Sequence, residues 1–359
     1  MATLLDPIQL GAIDAPNRIL MAPLTRARGT RDHVPTPLMA EYYAQRASAG
    51  LIISEATGIS QQGLGWPFAT GLWNDAQVEG WRKVTDAVHV AGGRIFSQLW
   101  HMGRLVHPSF LNGEQPVSSS ATAAPGDAWT YDGKQPYGQA RALDISEIPA
   151  LIEDYRHAAA NAKAAGFDGV QLHAANGYLI DQFLRDNSNF RDDAYGGSIE
   201  NRIRLLREVT EAIAGVVGAD RTAVRLSPNG ASQGVNDSDP VQLFAAAASA
   251  LSEIGIAFLE LREPPRDGSF GTSEIDPVAP HIRAVFSGPL VLNSDYDRPR
   301  AEADIASGLA DAISFGRLFI TNPDLPGRIA GNLPLRSEQD PATWYSQGDK
   351  GYTDWAEAA

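Results

Sequence analysis

Where the apolar run Gly169–His173 gives way to a turn, the chain reads Ala174-Ala175-Asn176-Gly177-Tyr178 and so gathers an imidazole, a carboxamide and a phenol within a few residues. Neutral imidazole and amide groups both donate hydrogen bonds near neutral pH. A tyrosine with its ordinary pKa of about 10 stays protonated there and can act as an acid. Taken alone, His173 reads more simply as a buried histidine satisfied by backbone. Other apolar runs end in further polar side chains: Pro23-Leu24-Thr25, Glu55-Ala56-Thr57, Gln98 to His101, Arg225, Glu260 to Glu263, Asn293-Ser294-Asp295 and Gly316-Arg317. Donors abound in this set and opposed carboxylates do not. A barrel glycosidase needs two facing carboxylic acids, and a metal hydrolase a His/Asp cluster. Glu55, or Glu260 with Glu263, could be recruited to the first purpose, but the last two leave one strand end and read better as core-edge or loop-face glutamates. Arg225 stands inside an apolar run. A buried arginine is costly without a partner, so it demands a ligand or an internal carboxylate.

The elements that must position these groups follow one repeating pattern. A helical stretch reaches a glycine, and a short apolar strand follows. Ala44 to Ala49 reaches Gly50, Val84 to Ala91 reaches Gly92, Ile148 to Ala165 reaches Gly166, Leu243 to Ile254 reaches Gly255, and Ala301 to Ser307 reaches Gly308. Glycine takes the left-handed position that ends a helix, and the chain then turns back into the sheet. The strands that follow, together with those near Ile19, Thr222 and Leu290, are apolar on both faces, as buried parallel strands are. Alternation without a dinucleotide fingerprint favours an α/β fold of the (β/α)8 TIM-barrel type over a flavodoxin-like doubly wound sheet. Two stretches stand outside the alternation. Residues 8–17 read as an N-terminal hairpin that could plug the barrel bottom. Residues 102–143, rich in Pro, Ser, Gly and Ala, read as a cap excursion after strand 3, since a loop this long is usually functional. No linker interrupts the chain, so a single domain over 1–359 is expected.

Composition narrows the partners. The chain has 359 residues, 43% hydrophobic and 20% charged, with a formal net charge of -14. A surface of that sign repels nucleic acid and anionic membrane, so neither is expected as a partner. The absence of cysteine excludes disulfides, thiolate metal sites and cysteine nucleophiles, and no metal site is expected. It also fits a cytoplasmic protein, as does a start, Met1 to Pro7, with neither a basic n-region nor a long apolar run.

The segment His173-Ala174-Ala175-Asn176-Gly177-Tyr178-Leu179-Ile180-Asp181-Gln182-Phe183-Leu184 resembles the signature of the Old Yellow Enzyme family of flavin mononucleotide (FMN) oxidoreductases. The similarity continues through Asn187-Ser188-Asn189, Arg191-Asp192-Asp193, Tyr195-Gly196-Gly197-Ser198 and Glu200-Asn201-Arg202. Met21 to Arg26 is similar to the family's first strand, and Phe315-Gly316-Arg317 with Asn322-Pro323-Asp324-Leu325-Pro326 to its last strand and the turn beyond. The likeness runs along the chain in order and is weakest in the cap and from Pro264 to Ile275.

This resemblance implies an NAD(P)H-dependent ene-reductase with non-covalent FMN, reducing enals, enones, maleimides or nitroalkenes. His173 and Asn176 would hold the substrate oxygen and Tyr178 would protonate the α-carbon. The flavin would lie among Pro23, Leu24, Thr25, Ala56, Gln98, His173, Arg225, Asn293, Ser294, Gly316 and Arg317. Within that set Thr25 would meet the carbonyl beside N5, Gln98 the pyrimidine edge, Arg225 the region of N1, and Arg317 the phosphate. Thr25 stands where another branch of the family has cysteine. The turn from Asn293 to Asp297 has less glycine than in many relatives; an inward Asp295 would repel phosphate, so it is expected to point away. Trp66, Trp100 and Tyr345 look like aromatic walls of the substrate cavity, Trp66 standing where relatives often have tyrosine, although plain packing would also account for them. NADPH or NADH would share the substrate's place. Reductive denitration of nitrate esters or nitroaromatics on the same flavin is the nearest alternative, and a cofactor-free barrel hydrolase or lyase using Glu55 or Glu260 a distant one. The aromatic-rich tail from Trp344 to Trp355 is expected to fold back over the barrel.

Overall fold

Eight apolar runs close into one parallel barrel, in the order of the chain. The strands are β1 (Ile19–Met21), β2 (Ile52–Gly58), β3 (Ile95–Trp100), β4 (Gly169–His173), β5 (Thr222–Leu226), β6 (Phe258–Arg262), β7 (Leu290–Asn293) and β8 (Ala312–Phe315). Crossover helices surround them: α1 (Pro37–Ala44), α2 (Asp75–Val90), α3 (Ile148–Ala164), α4 (Arg204–Val217), α5 (Pro240–Ile254), α6 (Ala279–Arg283), α7 (Arg298–Ser307) and α8 (Leu325–Ala330). This computed structural model describes residues 2–337 and 339–356; the expected domain span also takes in 1, 338 and 357–359, which lie outside the described residues. No helix among the described residues is long and apolar enough to cross a membrane.

Four of the five helix-ending glycines have the left-handed backbone expected of them: Gly92, Gly166, Gly255 and Gly308, with φ from 75° to 86°. Gly50 differs. It does not have a positive φ; a β-carbon there would meet the Asn17 carbonyl oxygen at 2.2 Å, so the position requires close approach. The expected helix from Ala44 to Ala49 is likewise a set of turns, because α1 ends at Ala44. The chain beyond tightens into i to i+3 bonds such as Arg46 N to Tyr43 O and Ala49 N to Arg46 O, both 3.0 Å.

The N-terminal hairpin forms as expected, with Ile8–Leu10 antiparallel to Ile13–Ala15. Leu10, Ile13 and Ala15 join Leu20, Ile53, Phe96, Phe258 and Val291 in one buried cluster at the bottom of the barrel. The hairpin therefore covers the face opposite the strand C-termini. The cap has its own short strands, which its sequence did not signal. Asp127–Thr130 forms a hairpin with Gly133–Pro136, while Val117–Ser118 pairs with Arg141–Ala142.

The tail folds back. Arg26 Nη2 donates to Gly351 O at 2.8 Å, and Arg28 donates to Thr343 O and Trp344 O at 2.9 and 2.8 Å. Tyr352 stacks on Tyr42 with ring centroids 4.0 Å apart and lies under the Arg26 and Arg28 guanidinium groups. It is wholly buried, yet its hydroxyl finds no hydrogen-bond partner among the described residues. Tyr352→Ala is therefore expected to cost about 3–5 kcal/mol in a denaturant unfolding experiment. Tyr352→Phe removes only the unsatisfied hydroxyl and is expected to leave stability unchanged or raise it.

Candidate active site

At the C-terminal end of the barrel opens a cavity of about 570 Å³, a size suited to a cofactor and a small substrate. Its floor is built by the alternation of barrel strands, whose inward side chains form layers drawn from every second strand. Arg225 on β5 reaches across to Asn293 on β7, Nη2 to Oδ1 at 2.7 Å, and Gln98 of β3 lines the same floor. Gln171 of β4 and Glu260 of β6, which do not line the cavity, meet Ser314 of β8, which does, across the barrel interior. Gln171 Nε2 donates to Glu260 Oε2 at 2.7 Å, and Ser314 Oγ to Glu260 Oε1 at 2.5 Å.

On the wall, the turn after β4 is fixed from behind. Asp181 and Arg185 form a fully buried ion pair at 2.7 Å, and Arg185 also binds Ser227 O. Gly177 N donates to Asp181 Oδ2 at 2.9 Å, while Asn176 N donates to Ser227 Oγ at 2.7 Å. These bonds hold Asn176 in a left-handed conformation, φ 58°, which asparagine tolerates. His173 Nδ1 accepts from Ala175 N at 3.4 Å, leaving Nε2 as the N–H donor. Burial, then the nearby Arg225 and Arg262 charges, hold the His173 pKa well below 6.5, so the imidazole is neutral. Arg262 Nη1 lies 3.4 Å from Asn176 Oδ1, which leaves the Asn176 amide N–H groups to donate elsewhere. Tyr178 stands edge-on to Trp100 and His173, at 4.9 and 4.8 Å between centroids, and burial raises its pKa above 10. The phenol stays protonated.

All the expected site residues except Trp66 line this one cavity. Trp66 instead packs behind Tyr345, edge to face at 5.2 Å, and steadies that wall without forming it. The Thr25 side chain lines the cavity and makes no hydrogen bond among the described residues. Asp295 also departs from its expected outward orientation. It points inward, accepting from Ser269 N and Oγ, both at 2.7 Å, and pairing with Arg317 Nη2. Burial alone would raise its pKa, but the Ser269 hydrogen bonds and Arg317 outweigh that and lower it. The inward carboxylate is accommodated because loop serine and arginine groups neutralise it.

The expected alternatives in carboxylate chemistry lose their geometry here. The strand register shifts between Ile53 and Ala56; Ala56 lines the cavity, while Glu55 does not and is buried against Tyr43 of α1 and the Arg26 backbone. Glu55 receives the Tyr43 hydroxyl at 3.3 Å, and burial pushes its carboxyl up to about 7. Glu263 caps the chain at Val278 and Ala279, a loop-face role as expected. Glu260 is inside the barrel, the internal carboxylate that Arg225 required, with Arg225 Nε 3.8 Å from its Oε2. Sequence reading missed Gln171, Arg262 and Phe270. Arg262 carries a usable signal in the sequence, as a cation at a strand end between Glu260 and Glu263.

The donor set suits a flavin. Gln98 and Arg225 offer hydrogen-bonding groups to a pyrimidine edge, and Arg225 Nε is buried with no hydrogen-bond partner among the described residues. At the far end Arg317 stands beside Ser294 and Asp295, both at positive φ, 113° and 49°, backbone conformations compatible with an anion-binding turn. Residues 3–336 match the NADH:flavin oxidoreductase / NADH oxidase family. The chain belongs to the Old Yellow Enzyme family. An Old Yellow Enzyme homologue from Zymomonas mobilis is 61% identical, with TM-score 0.97 over 99% of each chain. Morphinone reductase is 44% identical, with TM-score 0.95 over 99% of this chain and 96% of that one. Chanoclavine-I aldehyde reductase of Penicillium roqueforti is 44% identical over 100% of this chain and 97% of its own length. Family membership makes this chain an FMN-dependent oxidoreductase of the ene-reductase type.

Asp295 pairs with Arg317; if Arg317 holds the FMN phosphate, Asp295→Asn is expected to tighten FMN binding roughly twofold to fivefold, on the order of 0.5–1 kcal/mol. Riboflavin lacks the phosphate and should bind unchanged. Fluorescence titration of both flavins checks this, and equal tightening of the two would count against it.

Proposed function

We propose that this protein reduces the C=C bond of alkenes activated by a carbonyl, imide or nitro group, using FMN within a single barrel domain and NADPH or NADH as donor. The observation that carries the reading is the convergence of the His173 Nε2–H and Asn176 amide donors beside a protonated Tyr178, above a floor of Gln98 and Arg225. The chemistry supplied by bound FMN is hydride transfer from N5 to the alkene β-carbon after reduction by the nicotinamide.

The chain's own groups do the rest. His173 and Asn176 hold the substrate oxygen and stabilise the negative charge that develops on it as hydride arrives. Their neutrality matters, since a neutral donor placed by the fold costs no proton transfer. The Tyr178 phenol delivers a proton to the α-carbon. Trp100 and Tyr345 limit the cavity and exclude water from the reacting atoms. Arg317 with the turn at Ser294 anchors the phosphate, and Thr25 supplies a hydroxyl to the flavin carbonyl beside N5. The nicotinamide and the alkene take turns in one place; nicotinamide binding is supported by the structure of morphinone reductase in complex with tetrahydroNAD. Work in the cytoplasm suits a chain with no cysteine to oxidise and a reduced nicotinamide to consume.

The purified protein should be yellow, with flavin absorbance. His173→Ala combined with Asn176→Ala is expected to abolish enone binding and keep the flavin; each single change should lower kcat by about 10²–10³. Normal enone reduction by the double variant would defeat the oxygen-clamp assignment. Tyr178→Phe should slow turnover by about 10²-fold where the phenol is the proton source. Since His173 is held neutral well below 6.5, a kcat/KM profile should show no inflection near pH 6.5 from this residue.

A further inference from the structure

Below the cavity floor runs a polar chain that the oxygen clamp does not use. Glu260 has no exposed surface and does not line the cavity. Both its oxygens accept, one from Gln171 Nε2 and one from Ser314 Oγ. Gln171 in turn accepts, its Oε1 receiving Gln98 Nε2 at 2.8 Å. Barrel interiors are ordinarily filled with branched aliphatic side chains, so a buried carboxylate at this depth calls for a reason.

We propose that Glu260 is a positioning residue that sets the hydrogen-bonding sense and the charge of the flavin pocket from beneath. A carboxylate can only accept. It therefore forces Gln171 to donate with its amide nitrogen, which leaves the Gln171 oxygen to accept from Gln98. The Gln98 nitrogen is thereby drawn down into the barrel and its oxygen is turned to the cavity. A neutral amide at position 260 could donate or accept, and the direction of the whole chain would become reversible. The same carboxylate lies 3.8 Å from Arg225 Nε. It offsets part of the positive charge that Arg225 presents to the cavity, so reduction of a flavin to its anionic form is favoured less than Arg225 alone would favour it.

The inference rests on the flavin reading above, because it needs Gln98 and Arg225 against the ring. Its test is made on the holoenzyme. In Glu260→Gln the midpoint potential of the bound flavin, read by equilibration with a reference dye, should become more positive. The expected shift corresponds to about a tenfold change in the ratio of reduced to oxidised flavin affinity, about 30 mV for a two-electron couple. Gln171→Met keeps the carboxylate and breaks the chain. It should release flavin severalfold faster on dilution, read as rising flavin fluorescence, with a smaller change of potential. An unmoved potential in Glu260→Gln overturns the proposal. Should that variant fail to fold, Gln171→Met decides, and flavin release as slow as in the parent protein overturns it. A parent protein that binds no flavin would defeat the underlying reading as well. A yellow parent with unmoved variants defeats only the role of Glu260.

Discussion

A guanidinium buried at the centre of a barrel has to be held, and the holding of Arg225 governs much of the site. Asn293 takes one of its nitrogens, Glu260 lies beside another, and burial lowers its pKa. Each partner belongs to a different strand, so the charge can be satisfied only when β5, β6 and β7 are in register. The register does this directly: Arg225 lies across from Glu260, and Asn293 across from Arg262. Breaking one such partnership strands a charge in low dielectric, which is far more destabilising than the pair is stabilising. The floor of the cavity and the closure of the barrel are thus one requirement.

The same economy operates on the wall. Asp181, Arg185 and Ser227 are fully buried and touch no part of the cavity. They fix the backbone that carries Asn176 and Tyr178, and the left-handed Asn176 is stable because its own amide and that of Gly177 are tied down. Donors held this way need no reorganisation when charge develops in front of them.

The barrel was legible because strand burial on both faces and glycine after helices are local signals. All eight strands lie where the apolar runs stand, though β2 extends to Gly58. Gly50 and the turns after Ala44 were misread because a glycine needed for close approach looks the same in sequence as one needed for a left-handed cap. His173, Asn176 and Tyr178 stand out through one long motif, and their clustering with Gln98, Arg225 and Arg317 in one cavity follows from strand ends sharing one face. What escaped were contacts made across the barrel or between loops. Gln171 reads as one polar residue in an apolar strand, and only closure brings it to Glu260. The inward turn of Asp295 depends on Ser269, in a loop with no periodic pattern. Trp66 was placed one layer too far forward, because aromatic type alone does not distinguish a wall from its support.

The grip of Arg26 on Gly351 joins positions 325 residues apart. Arg26 directly follows Thr25, and Tyr345 lies within the segment that it secures. During synthesis the first strand and its loop therefore wait for almost the whole chain to emerge before their last contacts exist. Long-range closure of this kind slows folding. The pocket gains its final wall only once the segment around Tyr345 has been made and has folded back, so a shorter nascent chain offers the cofactor an unfinished berth.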